Sequence, residues 1–131
     1  MARPKQETPT SGELEVLKVL WKRGPSTVRE VLEELNTQER TRAYTSVMSL
    51  MNVMADKDLL EREPLGRAFQ YSARRPQEKT LGGIVSDILG RVFEGSAPSL
   101  VAHLLEESKP NAVELEQIRK ALEEYEEENH V

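Results

Sequence analysis

Between Arg40 and Ala73 the spacing of apolar residues switches from helical to extended, and that switch constrains the fold more than any other feature of the chain. Val47, Leu50, Met51 and Met54 fall at steps of three, one and three, which places them on one face of a helix from about Tyr44 to Lys57. Phe69, Tyr71 and Ala73 then alternate with Gln70 and Ser72, the period of a half-buried strand. A preceding strand near Leu59–Glu63 is joined to it around Pro64–Arg67. Pro64 cannot donate to a ladder, so it belongs at an edge or turn and is expected to end the first strand. The segment therefore predicts a helix followed by a two-stranded ribbon, with Leu65-Gly66-Arg67 at the turn.

Two helices precede this segment. Residues 1–9, with Pro4 and Pro9, predict a flexible arm. Thr10 and Glu13 have the spacing of a capping box, and Leu14, Leu17, Leu20 and Trp21 follow at helical intervals. Gly24-Pro25 ends that helix, because proline cannot continue the hydrogen-bond ladder. A second helix starts at once, capped by Ser26 or Thr27, with Val28, Val31, Leu32 and Leu35 as its apolar stripe and Asn36 at its end. The composition changes after Arg74-Arg75-Pro76, which sets the expected domain boundary. Leu81, Ile84, Val85, Ile88, Leu89 and Val92 then predict an amphipathic helix broken at Gly95–Pro98. A short helix follows with Leu100, Val101, Leu104 and Leu105. The last helix is capped by Asn111 and carries Leu115, Ile118, Leu122 and Tyr125 at coiled-coil spacing. Three short helices enclose little interior of their own, so a second copy of the chain is expected to cover these stripes.

Helix, helix, helix, strand, strand is the order of a winged helix-turn-helix. The fold class expected is mainly α with a small two-stranded wing: a DNA-binding domain at 10–76 followed by an α-helical dimerisation domain at 77–131. In that architecture the third helix enters the major groove and the ribbon lies against the backbone or minor groove. The polar face of the third helix offers Thr45, Ser46, Ser49 and Asn52 to base edges, asparagine having the two-pronged geometry that suits adenine. Arg40 and Arg42 before the helix, and Arg62 and Arg67 on the ribbon, are placed for phosphates. Tyr44 stands beside a sugar or phosphate or packs at the helix start. Ser26 and Thr27 open the second helix, where they cap it or offer donors to a phosphate.

The net charge of −5 argues against a nucleic-acid partner only as an average. Residues 1–79 hold 14 Lys and Arg against 12 Asp and Glu, whereas residues 80–131 hold 4 against 11. Local charge governs phosphate attraction, and the acidic C-terminal helix reads as a solvated face. The absence of cysteine excludes disulfides and thiolate metal sites. No apolar run approaches a membrane span and the start lacks a signal-peptide core, so the expectation is a cytoplasmic protein without membrane insertion. No phosphate loop, HExxH or nucleophile elbow is present, and His103 and His130 lie far apart. An enzyme, a cofactor and a metal site are therefore not expected. A winged-helix protein–protein adaptor is the alternative, favoured by the exposed Val53 and Met48.

Several runs carry a family resemblance. Gly12-Glu13-Leu14-Glu15-Val16-Leu17, Leu20-Trp21 and Pro25-Ser26-Thr27-Val28-Arg29-Glu30-Val31 resemble the penicillinase-repressor family of bacterial winged-helix regulators (the BlaI/MecI type). Ala43-Tyr44-Thr45-Ser46-Val47-Met48 is similar to the start of that family's recognition helix. Asp58-Leu59-Leu60, Gly66-Arg67-Ala68 and Phe69-Gln70-Tyr71 resemble its strand and wing. The likeness spans about residues 10–125. It implies a homodimeric repressor on a palindromic double-stranded DNA operator, joined through Leu81, Ile84, Val85, Ile88, Leu100, Leu104, Leu115, Ile118, Leu122 and Tyr125. It further implies a membrane zinc-protease sensor that cleaves within these helices. The matching bond is His103–Leu104, where family examples have Asn-Phe. The family's copper-sensing branch uses C-terminal cysteines, which this chain lacks.

Overall fold

The computed structural model describes residues 8–37 and 41–131. Helix α1 (Ser11–Arg23) opens on the expected capping box. The Thr10 hydroxyl accepts from the Glu13 backbone N–H at 3.2 Å, and the Glu13 carboxylate accepts from the Thr10 N–H at 3.0 Å. It stops at Gly24, whose φ of 88° is open to glycine and costly for other residues. Strand β1 (Ser26–Thr27) follows, then helix α2 (Val28–Leu35), with a second capping box between Thr27 and Glu30. Helix α3 (Tyr44–Asp56) leads to strands β2 (Leu60–Leu65) and β3 (Ala68–Ala73).

The two strands of the expected wing, β2 and β3, are joined by β1, so the sheet has three strands. They run in the order β1-β3-β2, all pairings antiparallel, with Ser26 opposite Tyr71 and Leu60 opposite Ala73. β1 escaped detection because two residues carry no period. Thr27, as the cap of α2, already has extended backbone, and that conformation pairs directly with β3. Pro64 does not end β2. It lies within the strand opposite Phe69, tolerated because β2 is an edge strand. Leu65 and Ala68 close a two-residue loop in which Gly66 has φ 62° and Arg67 does not have positive φ. Positive φ at the first loop position alone is the pattern of a type II′ hairpin.

Val16, Leu17, Val19 and Leu20 of α1 pack against Val28, Val31, Leu32 and Leu35 of α2, Val47, Met51 and Met54 of α3, and Leu60 and Tyr71 of the sheet. The stripe of α1 is rotated from the expected one: Val16 and Val19 are buried, while Leu14 and Trp21 are half-buried at its margin. Trp21 sits there because its ring N–H donates to the Arg75 carbonyl at 3.1 Å, tying the segment after β3 back to α1.

Helices α4 (Gln77–Arg91), α5 (Ala97–Ser108) and α6 (Ala112–Asn129) complete the chain. Asn111 caps α6 in a third capping box. The chain forms two compact units, one ending at Asp87 and one of Ile88–Val131, so the division falls within α4, beyond the boundary expected after Pro76. None of the residues of α4, α5 or α6 is buried. No helix among the described residues is long and apolar enough to cross a membrane.

Candidate nucleic-acid interface

Helix α3 is held at both ends by α1. At its start the Arg42 guanidinium is ion-paired with Glu15, and the Arg42 backbone is locked by Asn36. The Asn36 side chain accepts from the Arg42 N–H at 2.8 Å and donates to the Arg42 carbonyl at 3.2 Å. At its end Lys57 Nζ lies 2.6 Å from the buried Glu13 carboxylate. Ala43 supplies no side-chain cap to α3, so these two α1 carboxylates set the helix in place.

Burial alone would raise the Glu13 pKa, but bonds from Lys57 and from Thr10 outweigh it and hold the carboxyl below its ordinary 4.5. A depressed folded pKa contributes stability above the unfolded value, and that contribution is lost as pH falls through the folded one. Lys57→Ala is expected to destabilise by about 1–3 kcal/mol at pH 7, less than for a fully buried pair because Lys57 is partly exposed. Urea midpoints of parent and variant should start to converge as the pH drops below the ordinary 4.5 and meet once it has fallen through the parent's lower folded pKa, where Glu13 is neutral in both. An equal gap at pH 7 and pH 3.5 would sink this account.

The surface of α3 divides into rows. Val47, Met51 and Met54 face the core. Tyr44, Met48 and Asn52, four residues apart, border the wing. Thr45, Ser49 and Val53 form the outward row, all exposed, with Ser46 exposed beside them. Three expected base-readers, Thr45, Ser46 and Ser49, are thus on free surface. Asn52 is not free. Its side-chain oxygen accepts from Arg62 Nη1 at 2.7 Å and from the Tyr71 hydroxyl at 2.8 Å, so the two-pronged adenine geometry is unavailable while both bonds hold.

The residues expected at the DNA backbone divide in the same way between protein partners and open surface. Ser26 is fully buried and donates its hydroxyl to the Gly24 carbonyl at 2.9 Å, which removes it from any phosphate. Thr27 is committed to its capping box, its hydroxyl accepting from the Glu30 N–H and its own N–H bound to the Glu30 carboxylate. Arg42 is largely covered, its side chain 17% exposed and engaged by Glu15. Arg40 lies outside the described residues. Arg67 and Arg62 are exposed on the wing, and Tyr44 is exposed at the start of α3.

Met48 and Val53 are exposed on α3 as expected, and Arg29 and Phe69, which no sequence motif placed there, also reach this surface. A cleft of about 340 Å³ between α2, α3 and the wing is lined by Arg29, Tyr44, Met48, Arg67, Phe69 and their neighbours. The Arg29 guanidinium lies 4.9 Å from the centre of the Tyr44 ring. Arg29 had one legible signal: a cation in the first turn of a helix, where the backbone dipole favours carboxylates. Phe69 had another, since an alternating aromatic next to a hairpin turn overhangs the core rather than entering it.

In the C-terminal helices Leu81, Val85, Ile88, Leu104, Ile118, Leu122 and Tyr125 are exposed, while Ile84, Leu100 and Leu115 are half-buried. Within the second unit a cleft of about 400 Å³ is lined by Leu104, Ser108, Pro110, Glu114, Gln117, Ile118 and Ala121. His103 and Leu104 are exposed in the middle of α5; the His103 ring is 5.3 Å from that of Phe93 and its Nδ1 is 2.9 Å from the Ser99 carbonyl. Among the described residues no cluster of His, Cys, Asp and Glu is arranged to hold a metal ion.

The penicillinase repressor family profile matches residues 9–124. A transcriptional regulator BlaI of Mycobacterium tuberculosis is 34% identical, over 88% of this chain and 84% of its own. The penicillinase repressor of Bacillus licheniformis is 26% identical over 88% and 90%. A methicillin resistance regulatory protein MecI of Staphylococcus aureus is 22% identical over 86% and 91%. A crystal structure of a transcriptional regulator from Thermotoga maritima superposes with a TM-score of 0.51 over 92% of this chain and 76% of that one; at 16% identity the likeness speaks for the fold alone.

Proposed function

The chain belongs to the penicillinase-repressor family, and from that premise we propose that it is a DNA-binding transcriptional repressor, acting as a homodimer on a palindromic operator in the bacterial cytoplasm. The observation that carries the reading is the outward row of α3: Thr45 and Ser49 exposed one turn apart, with Ser46 and Val53 beside them and the wing arginines Arg62 and Arg67 also exposed. Hydroxyls exchange hydrogen bonds with base edges, and an exposed Val53 or Met48 fits the thymine methyl group. Arg62, Arg67 and Tyr44 contact the backbone and fix the helix in its groove. DNA binding falls to residues 10–76 and dimerisation to residues 77–131, although the division between the compact units lies within α4.

Dimerisation is supported by the exposed apolar residues of α4, α5 and α6, which a single chain leaves uncovered. Two recognition helices then meet half-sites about one helical turn, or a small multiple of it, apart. Release follows when a membrane zinc-protease sensor cuts α5 at His103–Leu104. The relatives are named as regulators and repressors, so the adaptor reading of Val53 and Met48 is the less favoured one.

A gel shift with the duplex upstream of the chain's own gene is the direct test. Retardation should weaken steeply between about 50 and 200 mM salt, because displaced counterions return to the phosphates. A folded, dimeric sample that retards neither this duplex nor random DNA would end the repressor reading.

A further inference from the structure

Strand β2 sorts its charges by the period of the strand. Arg62 lies opposite Tyr71 and Pro64 opposite Phe69, so these residues share the sheet face turned toward α3. Glu61 and Glu63 fall on the other face, where Glu61 lies 3.8 Å from Arg74. On the inner face burial is graded: Leu60 and Tyr71 are in the core, and Phe69, nearer the turn, is 45% exposed. Asn52 meets this face at its middle, one oxygen accepting from both Arg62 and Tyr71. The Tyr71 ring is buried, and its hydroxyl needs that partner. Arg62 is exposed yet held from two sides, its Nη1 bound to Asn52 and its guanidinium carbon 5.3 Å from the centre of the Phe69 ring.

An arginine has five N–H donors in a rigid fork, and Asn52 takes one. The others remain for a ligand in a geometry fixed in advance. A base-reading asparagine needs its oxygen and its amide free together, and here the oxygen is used twice. We infer that Asn52 is a positioning residue: it joins the wing to the recognition helix and aims Arg62 at a backbone phosphate. This inference rests on the DNA-binding reading above.

The test uses the full-length dimer and measures affinity for the upstream duplex and for a random duplex at several salt concentrations. Parent, Asn52→Ala, Arg62→Ala and the double variant are compared, with Asn52→Leu as a variant that fills the space without an acceptor. Losing one phosphate contact per protomer should lower the slope of log affinity against log salt by about 0.9 each, about 1.8 per dimer. Asn52→Ala and Arg62→Ala should share this reduction, and the double variant should add little to either single one. Releasing an ordered side chain should cost about 2- to 12-fold in affinity per arginine, on both duplexes alike. A collapse of the preference for the upstream duplex with the slope unchanged would make Asn52 a base-reader and overturn the inference. A lower urea midpoint with slope and preference both unchanged would make it a packing residue and overturn it equally. A parent that binds no duplex withdraws the repressor reading itself, an outcome distinct from either.

Discussion

Ile118→Asp should convert the chain to a monomer in sedimentation and weaken operator binding by about 10²- to 10⁴-fold, leaving the affinity for a single half-site nearly unchanged. Ile118 is 41% exposed and lines the cleft that Leu104 and Ala121 share between α5 and α6. On α6 itself, Leu122 and Tyr125 are each about 60% exposed, and none of the residues of the helix is buried. Apolar side chains in such a row have a reason to be there only if another surface covers them. A carboxylate placed among them must be desolvated for the two copies to close, which costs several kcal/mol without a partner charge. The size of the DNA effect comes from geometry rather than from any contact. When two readers are linked at the right separation, the second binds at the effective concentration that the link creates. A cut at His103–Leu104 should act in the same way, since it severs α6 from the recognition helix without touching the helix. A monomeric Ile118→Asp that keeps full operator affinity would sink this picture, and so would a variant that stays dimeric.

Met51→Ala and Val53→Ala, two residues apart on α3, should have opposite signatures. Met51 has no exposed surface and sits in the row that meets α1 and α2. Truncating it loses apolar transfer and leaves a cavity, for about 2–5 kcal/mol. A domain of this size holds about 5–15 kcal/mol in all, so the melting temperature should fall sharply. Remaining folded protein should still prefer the same operator. Val53 is 48% exposed on the outward row. Its truncation should move stability by less than about 0.5 kcal/mol, yet discriminate less well between thymine and other bases facing it. Melting curves and a panel of single-base operator variants read both predictions. A Val53→Ala chain with the parent's operator ranking at every position would remove Val53 from the interface.

Much of this arrangement was legible along the chain because it depends on near neighbours. The capping boxes at Thr10–Glu13 and Asn111–Glu114 span three residues, and the buried stripes of α2 and α3 repeat every three or four. What escaped the sequence depends on how elements dock. Asn52 reaches Arg62 and Tyr71, 10 and 19 residues further on, and nothing in its own identity separates an asparagine that reads adenine from one that binds a wing. Ser26 looked like a helix-start donor until strand pairing with Tyr71 buried it. Glu13 was readable as a cap but not as the buried partner of Lys57, 44 residues away. Arg42 was rightly placed before α3, but its charge is answered within the protein by Glu15. Polar residues are harder to place from sequence than apolar ones for a common reason. An apolar side chain has one way to be satisfied, whereas a hydroxyl, amide or guanidinium has several, and only the fold selects among them.

The three rows of α3 also bear on how such a regulator acquires a new target. Core packing is confined to Val47, Met51 and Met54, and attachment to the wing runs through Asn52. Thr45, Ser49 and Val53 carry neither duty, so a lineage can exchange them while the scaffold stays intact. Surface substitutions of that kind typically shift stability by no more than about 0.5 kcal/mol. On the proposed base-reading role of this row, operator preference can therefore drift, or be rewritten by design, as an address on an otherwise unchanged envelope.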